Sequence, residues 1–207
     1  MENKQDPVYS RNVIEFVAVA NEFCKYAEHA RELRGDELLK ILQRILPLLY
    51  LKGSLLPALE PFFEDGNEKF VTEAAWERIN SSLKEKFGTA DAYPEIFNGE
   101  SSEPDNPLPA SLAENMTDIY QDLKDFLLLY QTGTREIMND AVLECRMNFE
   151  NFWGQKLVNS LRAIHRFIYS GEEIGRTDND KREDVNTKDT SEWFIAKRQR
   201  EFRANGK

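Results

Sequence analysis

The fold is decided by two consecutive stretches, SLAENMTDIYQDLKDFLLLYQTG at residues 111–133 and TREIMNDAVLECRMNFENFWGQKLVNSLRAIHRFIY at residues 134–169. Both carry apolar side chains at intervals of three and four, the pattern of an amphipathic α-helix. Ser111 and Glu114 form a capping box, which is a sequence signal for a helix start. Gly133 is expected to end the first helix, because glycine commonly follows the last residue of a helix. The two stretches therefore predict two helices separated by a short turn.

The same spacing continues toward the N-terminus. It predicts helices over about residues 10–34, 36–56 and 72–87, with residues 98–109 as a loop rich in proline, serine and glycine. No stretch alternates apolar and polar residues as a half-buried strand does. The sequence therefore predicts an all-α fold, a single bundle of about six helices within residues 1–170.

The C-terminal part has a different composition. Residues 171–190 carry too few apolar side chains to offset the entropy of ordering a chain, so we expect a polar linker. A short amphipathic helix is expected in the remainder of residues 171–207, with Trp193, Phe194 and Phe202 beside lysines and arginines. This helix is expected to dock on the helical body, or to bind a partner protein, nucleic acid or a membrane surface. Docking or protein binding is favoured over nucleic acid, because so short a cluster with interspersed acids is a weak phosphate footprint.

Charge is distributed unevenly along the chain, whose formal net charge is −10. Residues 51–150 carry 20 acidic against 8 basic side chains, whereas residues 151–207 carry 9 acidic against 12 basic. An acidic body repels phosphate backbones, so direct nucleic-acid binding by the core is not expected. A basic protein partner is expected instead.

Three observations concern the cellular compartment. The most apolar window, residues 38–51, is too short to span a bilayer and is interrupted by Lys40 and Pro47. The N-terminal residues lack the apolar segment of a signal peptide. Cys24 and Cys145 lack the spacing of metal ligands and are expected to be buried free thiols. We therefore expect a cytoplasmic protein without membrane association.

Four carboxylates, Glu114, Asp118, Asp122 and Asp125, form a row along the helix predicted in residues 111–133. At 100° per residue this row lies opposite the apolar stripe, so we expect it to face solvent. Bundles that bind two metal ions instead project glutamates and Glu-x-x-His pairs inward, and the sequence contains no Glu-x-x-His. The row is therefore expected to be an acidic docking face for a partner and not a metal site.

Catalytic motifs are absent or incomplete in the sequence. It contains no phosphate-binding glycine loop, no GxSxG and no HExxH. Asp122 and Asp125 supply only part of the Mg²⁺ ligand set of all-helical nucleotide pyrophosphohydrolases, because the one ExxE, Glu100 to Glu103, lies in the proline-rich loop. We therefore assign no catalytic residue, no cofactor and no metal.

The last predicted helix changes its apolar face near Gly154, by about 130° at 100° per residue. Either the helix breaks at Gly154, or one continuous helix contacts two different neighbours. The polar side beyond Gly154 is either a cationic face paired with acids or water, or a recess for an anionic ligand between the last two core helices. The residues assigned to this candidate face are Trp153, Lys156, Asn159, Arg162, His165 and Arg166.

Four pieces of the chain together resemble a known family. They read VIEFVAVANEFC, ILPLLYLKGSLLP, ENMTDIYQDLKDF and MNDAVLECRMNFENFWGQKLVNSLRAIH. Over about residues 10–170 they are similar to the bacterial family described as domain of unknown function 5063. The resemblance implies an all-helical cytoplasmic protein, with a basic nucleic-acid-processing enzyme as one candidate partner. No catalytic residue or cofactor carries over, because none is established for the family.

These patterns predict a non-enzymatic protein-interaction or adaptor module with an acidic docking face. The alternative is a binder or enzyme for a small anionic ligand or nucleotide, with its pocket between the last two core helices.

Overall fold

The chain forms a bundle of six α-helices in the part that the structure describes. The computed structural model describes residues 6–94, 109–172 and 174, all within one compact unit, Met1–Ile174. The all-α prediction is confirmed. The helices are α1 Arg11–Glu28, α2 Gly35–Gly53, α3 Glu73–Phe87, α4 Leu112–Gln131, α5 Arg135–Asn148 and α6 Gly154–Ser170, and the strands are β1 Ala92–Pro94 and β2 Pro109–Ser111.

Helix α4 lies at the centre of the bundle. It packs against α1, α3, α5 and α6, and twelve of its twenty residues are buried. A surface helix buries one face and exposes the other, whereas a helix in the middle of a bundle is buried round most of its circumference. This central position decides where the polar side chains of α4 lie.

Local end signals set several helix boundaries as predicted. The Thr72 hydroxyl accepts a hydrogen bond from the Ala75 amide (3.2 Å) at the start of α3. The Ser111 hydroxyl accepts one from the Glu114 amide (3.2 Å) at the start of α4. Gly133 follows α4 with a φ of 72°, which glycine adopts without the steric cost of a side chain. Each signal depends on residues a few positions apart, so each is readable from sequence.

The expectation that no strand occurs is wrong at one place. Strands β1 and β2 pair antiparallel, with Ala92 opposite Ser111. Strands of three residues are too short to show an alternating pattern. Just before β1, the Asp91 carboxylate accepts a hydrogen bond from the Ala113 amide in the first turn of α4 (2.8 Å). The small sheet and this hydrogen bond therefore attach the segment around β1 to the start of α4.

Helices α5 and α6 are joined without a break by a π-helical turn, Phe149–Trp153. A π turn contains more residues than an α turn, so the apolar face rotates as it passes through. The change of face near Gly154 is therefore real, and the helix continues through it. The interpretation as one continuous helix with different neighbours is correct, because α5 packs on α4 whereas α6 packs on α2 and α4. Gly154 permits the turn, since a Cβ there would come within 3.1 Å of the Phe149 ring. On α2, a Cβ at Gly53 would lie 2.8 Å from the Trp153 ring.

The apolar window of residues 38–51 lies within α2, which continues through Pro47. None of the described helices is both long enough and apolar enough to cross a membrane. The predicted C-terminal helix with Trp193, Phe194 and Phe202 lies outside the described residues.

Candidate functional site

Asp125 on α4 holds the backbone of the α2–α3 connection, the stretch of residues 54–72 between those two helices. One oxygen of its carboxylate accepts hydrogen bonds from the amides of Phe70 (2.8 Å) and Val71 (2.9 Å). Asp125 is only 2% exposed. A buried carboxylate needs such donors to offset its lost hydration, so these two amides and Asp125 stabilise each other.

Asp140 on α5 holds the same connection at a second point. Its two carboxylate oxygens accept one hydrogen bond each from the amides of Phe62 and Phe63, both at 2.8 Å. The Asn139 side chain donates to a backbone carbonyl of the connection (2.7 Å), and the Asn67 side chain donates to the Asp140 carbonyl (2.9 Å). Burial acts to raise the pKa of Asp140, but the hydrogen bonds from Asn139 and the two amides outweigh it and lower the pKa.

Asp125 and Asp140 together form a carboxylate clamp on the α2–α3 connection. Connections longer than about 12–15 residues without regular structure are uncommon and are often functional. This one has no helix or strand from the end of α2 to the start of α3. The clamped amides lie between 54 and 78 positions away from their aspartates in the chain. Because of this separation, local sequence patterns cannot predict which amides the two aspartates bind.

The prediction that the carboxylate row faces solvent is wrong for Asp125, which is buried. Glu114, at the other end of the row, is exposed as expected. The physical reason is that α4 is enclosed by four helices and by the α2–α3 connection, so even the side opposite its apolar stripe is covered. Helical-wheel geometry gives the direction of a side chain but not what packs against it.

Asp118, in the middle of the row, is engaged by two neighbouring helices. It accepts a hydrogen bond from the Trp76 indole on α3 (2.9 Å) and forms an ion pair with Lys156 on α6. Lys156 thus joins α6 to α4, and its ammonium group is paired with the Asp118 carboxylate. The prediction that cations of α6 pair with acids of the body is correct at this position.

Asp122 is half-buried and accepts a hydrogen bond from the Asn148 side chain (3.1 Å). Burial raises its pKa to about 6, and the charges of Glu144 and Asp125 add to that shift, against the opposing effects of Lys69 and Asn148. Asp122 therefore takes up a proton at a higher pH than an ordinary aspartate does.

The clamped connection presents aromatic side chains to solvent. Phe62, Phe63 and Phe70 are 48%, 51% and 39% exposed. The Arg135 guanidinium lies over the Phe62 ring, 5.3 Å from its centroid. Four carboxylates of the connection are also exposed. We call this region the acidic aromatic surface, made of Phe62, Phe63, Phe70, Glu60, Glu64, Asp65 and Glu68.

The residues predicted as an anion-binding face on the last helix do not form one surface. Trp153 is 1% exposed; it stacks near Phe16 with ring centroids 6.2 Å apart and donates to the Cys145 carbonyl (3.3 Å). Trp153 therefore belongs to the core, because the π turn rotates it inward. Lys156 is held by its ion pair with Asp118.

The remaining residues of that face line two different depressions. Asn159, Arg162 and Arg166 line a pocket of about 150 Å³ against β1 and the turn before it. Arg162 and His165 line an open groove between α6 and α2, beside Pro47. The arginine pocket thus lies between α6 and the small sheet, and the open groove lies between α6 and α2; the predicted recess between the last two core helices stays a prediction.

The structure also places the remaining groups with metal or nucleophilic chemistry. Within the described residues, no three His, Cys, Asp or Glu side chains come together in a group that could hold a metal ion. Cys24 and Cys145 are buried free thiols. Burial raises the pKa of both thiols, which keeps them in the unreactive protonated form.

These features define a class of protein: an all-α bundle whose central helix and its neighbour hold a long, acidic, aromatic connection. Residues 7–170 match the family described as Domain of unknown function (DUF5063), and the chain belongs to that family. It is also similar to the crystal structure of protein BF1032 from Bacteroides fragilis, with 38% identity and a TM-score of 0.72, over 83% of this chain and 99% of that one. None of the curated proteins compared with the chain matches it. The family predicted from the four sequence pieces is confirmed.

Proposed function

We propose that the protein is a non-enzymatic interaction module that binds a basic partner protein through the acidic aromatic surface. The observation that supports this most strongly is that three exposed phenylalanines stand on a backbone fixed by two buried aspartates. Exposed apolar groups rimmed by charged residues are typical of protein-binding sites. A fixed presentation also reduces the entropy lost when a partner binds.

The charge of the surface sets the chemistry of the partner. Glu60, Glu64, Asp65 and Glu68 are exposed, and Lys69 beside them pairs with a glutamate on α5 (2.6 Å). The surface therefore carries net negative charge, and a complementary partner has a basic rim around an apolar anchor. A basic nucleic-acid-processing enzyme is one partner of this kind. The same charge disfavours direct contact of this surface with a nucleic-acid backbone.

The proposal is tested by charge reversal at matched positions. Glu64→Lys combined with Glu68→Lys changes the surface, and Glu85→Lys combined with Glu114→Lys changes net charge equally at exposed positions outside it. A partner captured from a lysate of the source cells is purified, and its Kd is measured by biolayer interferometry at two salt concentrations. We expect the first pair to weaken binding roughly tenfold or more, with a weaker dependence on salt.

The control pair also reports on the carboxylate row, because Glu114 is the exposed member of that row, whereas Asp118 and Asp122 are half-buried and Asp125 is buried. Equal losses in both pairs, or no loss in the first, would overturn the assignment to the acidic aromatic surface. Phe63→Ser gives a charge-independent check, since this side chain is half-exposed and the hydrogen bond to Asp140 comes from the backbone amide, which the substitution keeps. We expect it to weaken binding while leaving thermal unfolding unchanged.

A further inference from the structure

A pocket of about 150 Å³ lies between α6 and β1, away from the acidic aromatic surface. Its α6 wall includes Asn159, Arg162 and Arg166, which share one side of the helix because they are three and four residues apart. The opposite wall includes Thr89 and Tyr93 from β1 and the turn before it. Two arginines therefore line one small recess in an acidic protein.

These two arginines lie one helical turn apart, a spacing at which like charges repel and destabilise a helix. Among the residues that the structure describes, neither Arg162 nor Arg166 has an ion-pair partner within 4.0 Å. Lys156, earlier on the same helix, is paired with Asp118. Glu172 also lines the pocket, and among the described residues it forms no ion pair with either arginine. An anion between the guanidinium groups would remove the repulsion.

The wall opposite the arginines is anchored to the core. The Asn115 side chain donates to the Tyr93 hydroxyl (2.6 Å) and to the Ser160 hydroxyl (3.4 Å). Asn115 is 8% exposed and Ser160 is fully buried. The Tyr93 hydroxyl is therefore bound to α4 through Asn115, which also bonds to α6, so hydrogen bonds to the core hold this wall of the pocket in place.

We propose that this pocket binds the phosphate group of a small molecule, with Arg162 and Arg166 as its hydrogen-bond donors. The planar guanidinium fork matches the geometry of phosphate oxygens and always carries its charge. Sites for drug-sized ligands have volumes of roughly 300–1,000 Å³, and a pocket of about 150 Å³ has room for a phosphate with a small substituent. The ligand is inorganic phosphate or a small phosphomonoester.

Glu172 gives the proposal a second, opposite prediction. Its carboxylate lines the same pocket and repels an anion bound there. Glu172→Gln therefore tightens phosphate binding, whereas Arg162→Gln and Arg166→Gln weaken it. A structural role for these residues alone would not give opposite signs in a binding measurement.

The test is isothermal titration calorimetry of the full chain with inorganic phosphate and, separately, glycerol 3-phosphate, at constant ionic strength set with potassium chloride. We expect saturable binding at one site. Each arginine substitution should weaken it roughly tenfold or more, as for the loss of a charge-assisted hydrogen bond. Arg146→Gln is the matched control, because Arg146 lies on α5, does not line the pocket and pairs with Glu150. Tighter binding of glycerol 3-phosphate identifies a phosphomonoester as the ligand, and equal or weaker binding identifies the free ion.

Circular dichroism melts without phosphate keep the result interpretable. The arginine variants should unfold at or above the wild-type temperature, because each removes one member of a repelling pair. The proposal is overturned if neither anion gives saturable binding. It is also overturned if binding persists in the double variant Arg162→Gln with Arg166→Gln, or if Glu172→Gln weakens it.

Discussion

Asp125 accepts the amides of both Phe70 and Val71 although it is 2% exposed. Asp125→Ala leaves these two donors without their acceptor and is expected to lower the free energy of unfolding by roughly 2–4 kcal/mol. Two hydrogen bonds to a charged group, at about 1.5–3 kcal/mol each, would give more, but the substitution also removes Oδ2 of Asp125, which is buried without a hydrogen-bond partner among the described residues. Asp125→Asn keeps an acceptor oxygen and should lose less. Urea denaturation measures the change, and hydrogen exchange at residues 70 and 71 localises it. A loss equal to that of an exposed control, Glu85→Ala, would contradict the clamp.

Asp122 should make stability depend on pH in the direction opposite to most carboxylates. Burial raises its pKa to about 6, above the ordinary value of about 3.9. The folded state therefore binds the proton more tightly, and the contribution of Asp122 to stability is largest below its ordinary pKa and is lost as the pH rises through about 6. Asp122→Asn removes this loss and can still accept the hydrogen bond from Asn148.

We therefore expect Asp122→Asn to unfold at a higher temperature than wild type at about pH 7.5 and at nearly the same temperature near pH 4. Differential scanning calorimetry across this range measures the difference. Glu114→Gln, at an exposed position on the same helix, serves as the control and should change little at either pH. A constant difference across the range, or a larger one at low pH, would contradict the buried carboxylate.

Among the elements, the π turn that joins α5 to α6 gives an unusual expectation for a glycine inside a helix. Replacing glycine by alanine there ordinarily stabilises by about 1 kcal/mol. At Gly154 the new Cβ would meet the Phe149 carbonyl oxygen and come within 3.1 Å of the Phe149 ring. Gly154→Ala is therefore expected to destabilise the protein and to alter the near-ultraviolet circular dichroism of Trp153. Stabilisation with an unchanged spectrum would show that the turn tolerates a side chain.

Elements whose signals are local were predictable from sequence, and pairings between distant elements were not. The Ser111 cap and the Gly133 stop depend on neighbouring residues and were placed correctly. The change of face at Gly154 was visible as a break in periodicity, although its cause, a π turn, leaves no separate signal. The amides bound by Asp125 lie in a segment without periodicity, 55 and 54 residues earlier. A row of carboxylates therefore looked like a solvated face, although part of it binds backbone.

At the scale of the whole molecule, the two proposed sites carry opposite charge and stand on different parts of the bundle. The acidic aromatic surface is held by α4 and α5, whereas the arginine pocket lies between α6 and β1. Substitutions at sites without shared partners usually act independently. Charge reversal at Glu64 and Glu68 should therefore leave phosphate binding unchanged, and Arg166→Gln should leave partner binding unchanged. The failure of one proposal would not decide the other.

Residues 1–174 should fold without the rest of the chain. Ile174 is expected to be the last residue that contributes to the stability of this body. A Cβ built on Gly35 would lie 3.0 Å from the Ile174 side chain, so Ile174 lies close against the start of α2. A chain ending at Ile174 keeps α1–α6 and this contact, and we expect it to unfold cooperatively on its own. A chain ending at Ser170 loses the contact and should be less stable by about 1 kcal/mol, since a partly buried isoleucine contributes less than the roughly 1.5–3 kcal/mol of a fully buried one. Urea denaturation of both truncated chains measures the difference. Equal stabilities would show that Ile174 does not stabilise the body. The absence of cooperative unfolding in the chain that ends at Ile174 would show that the body depends on residues beyond 174.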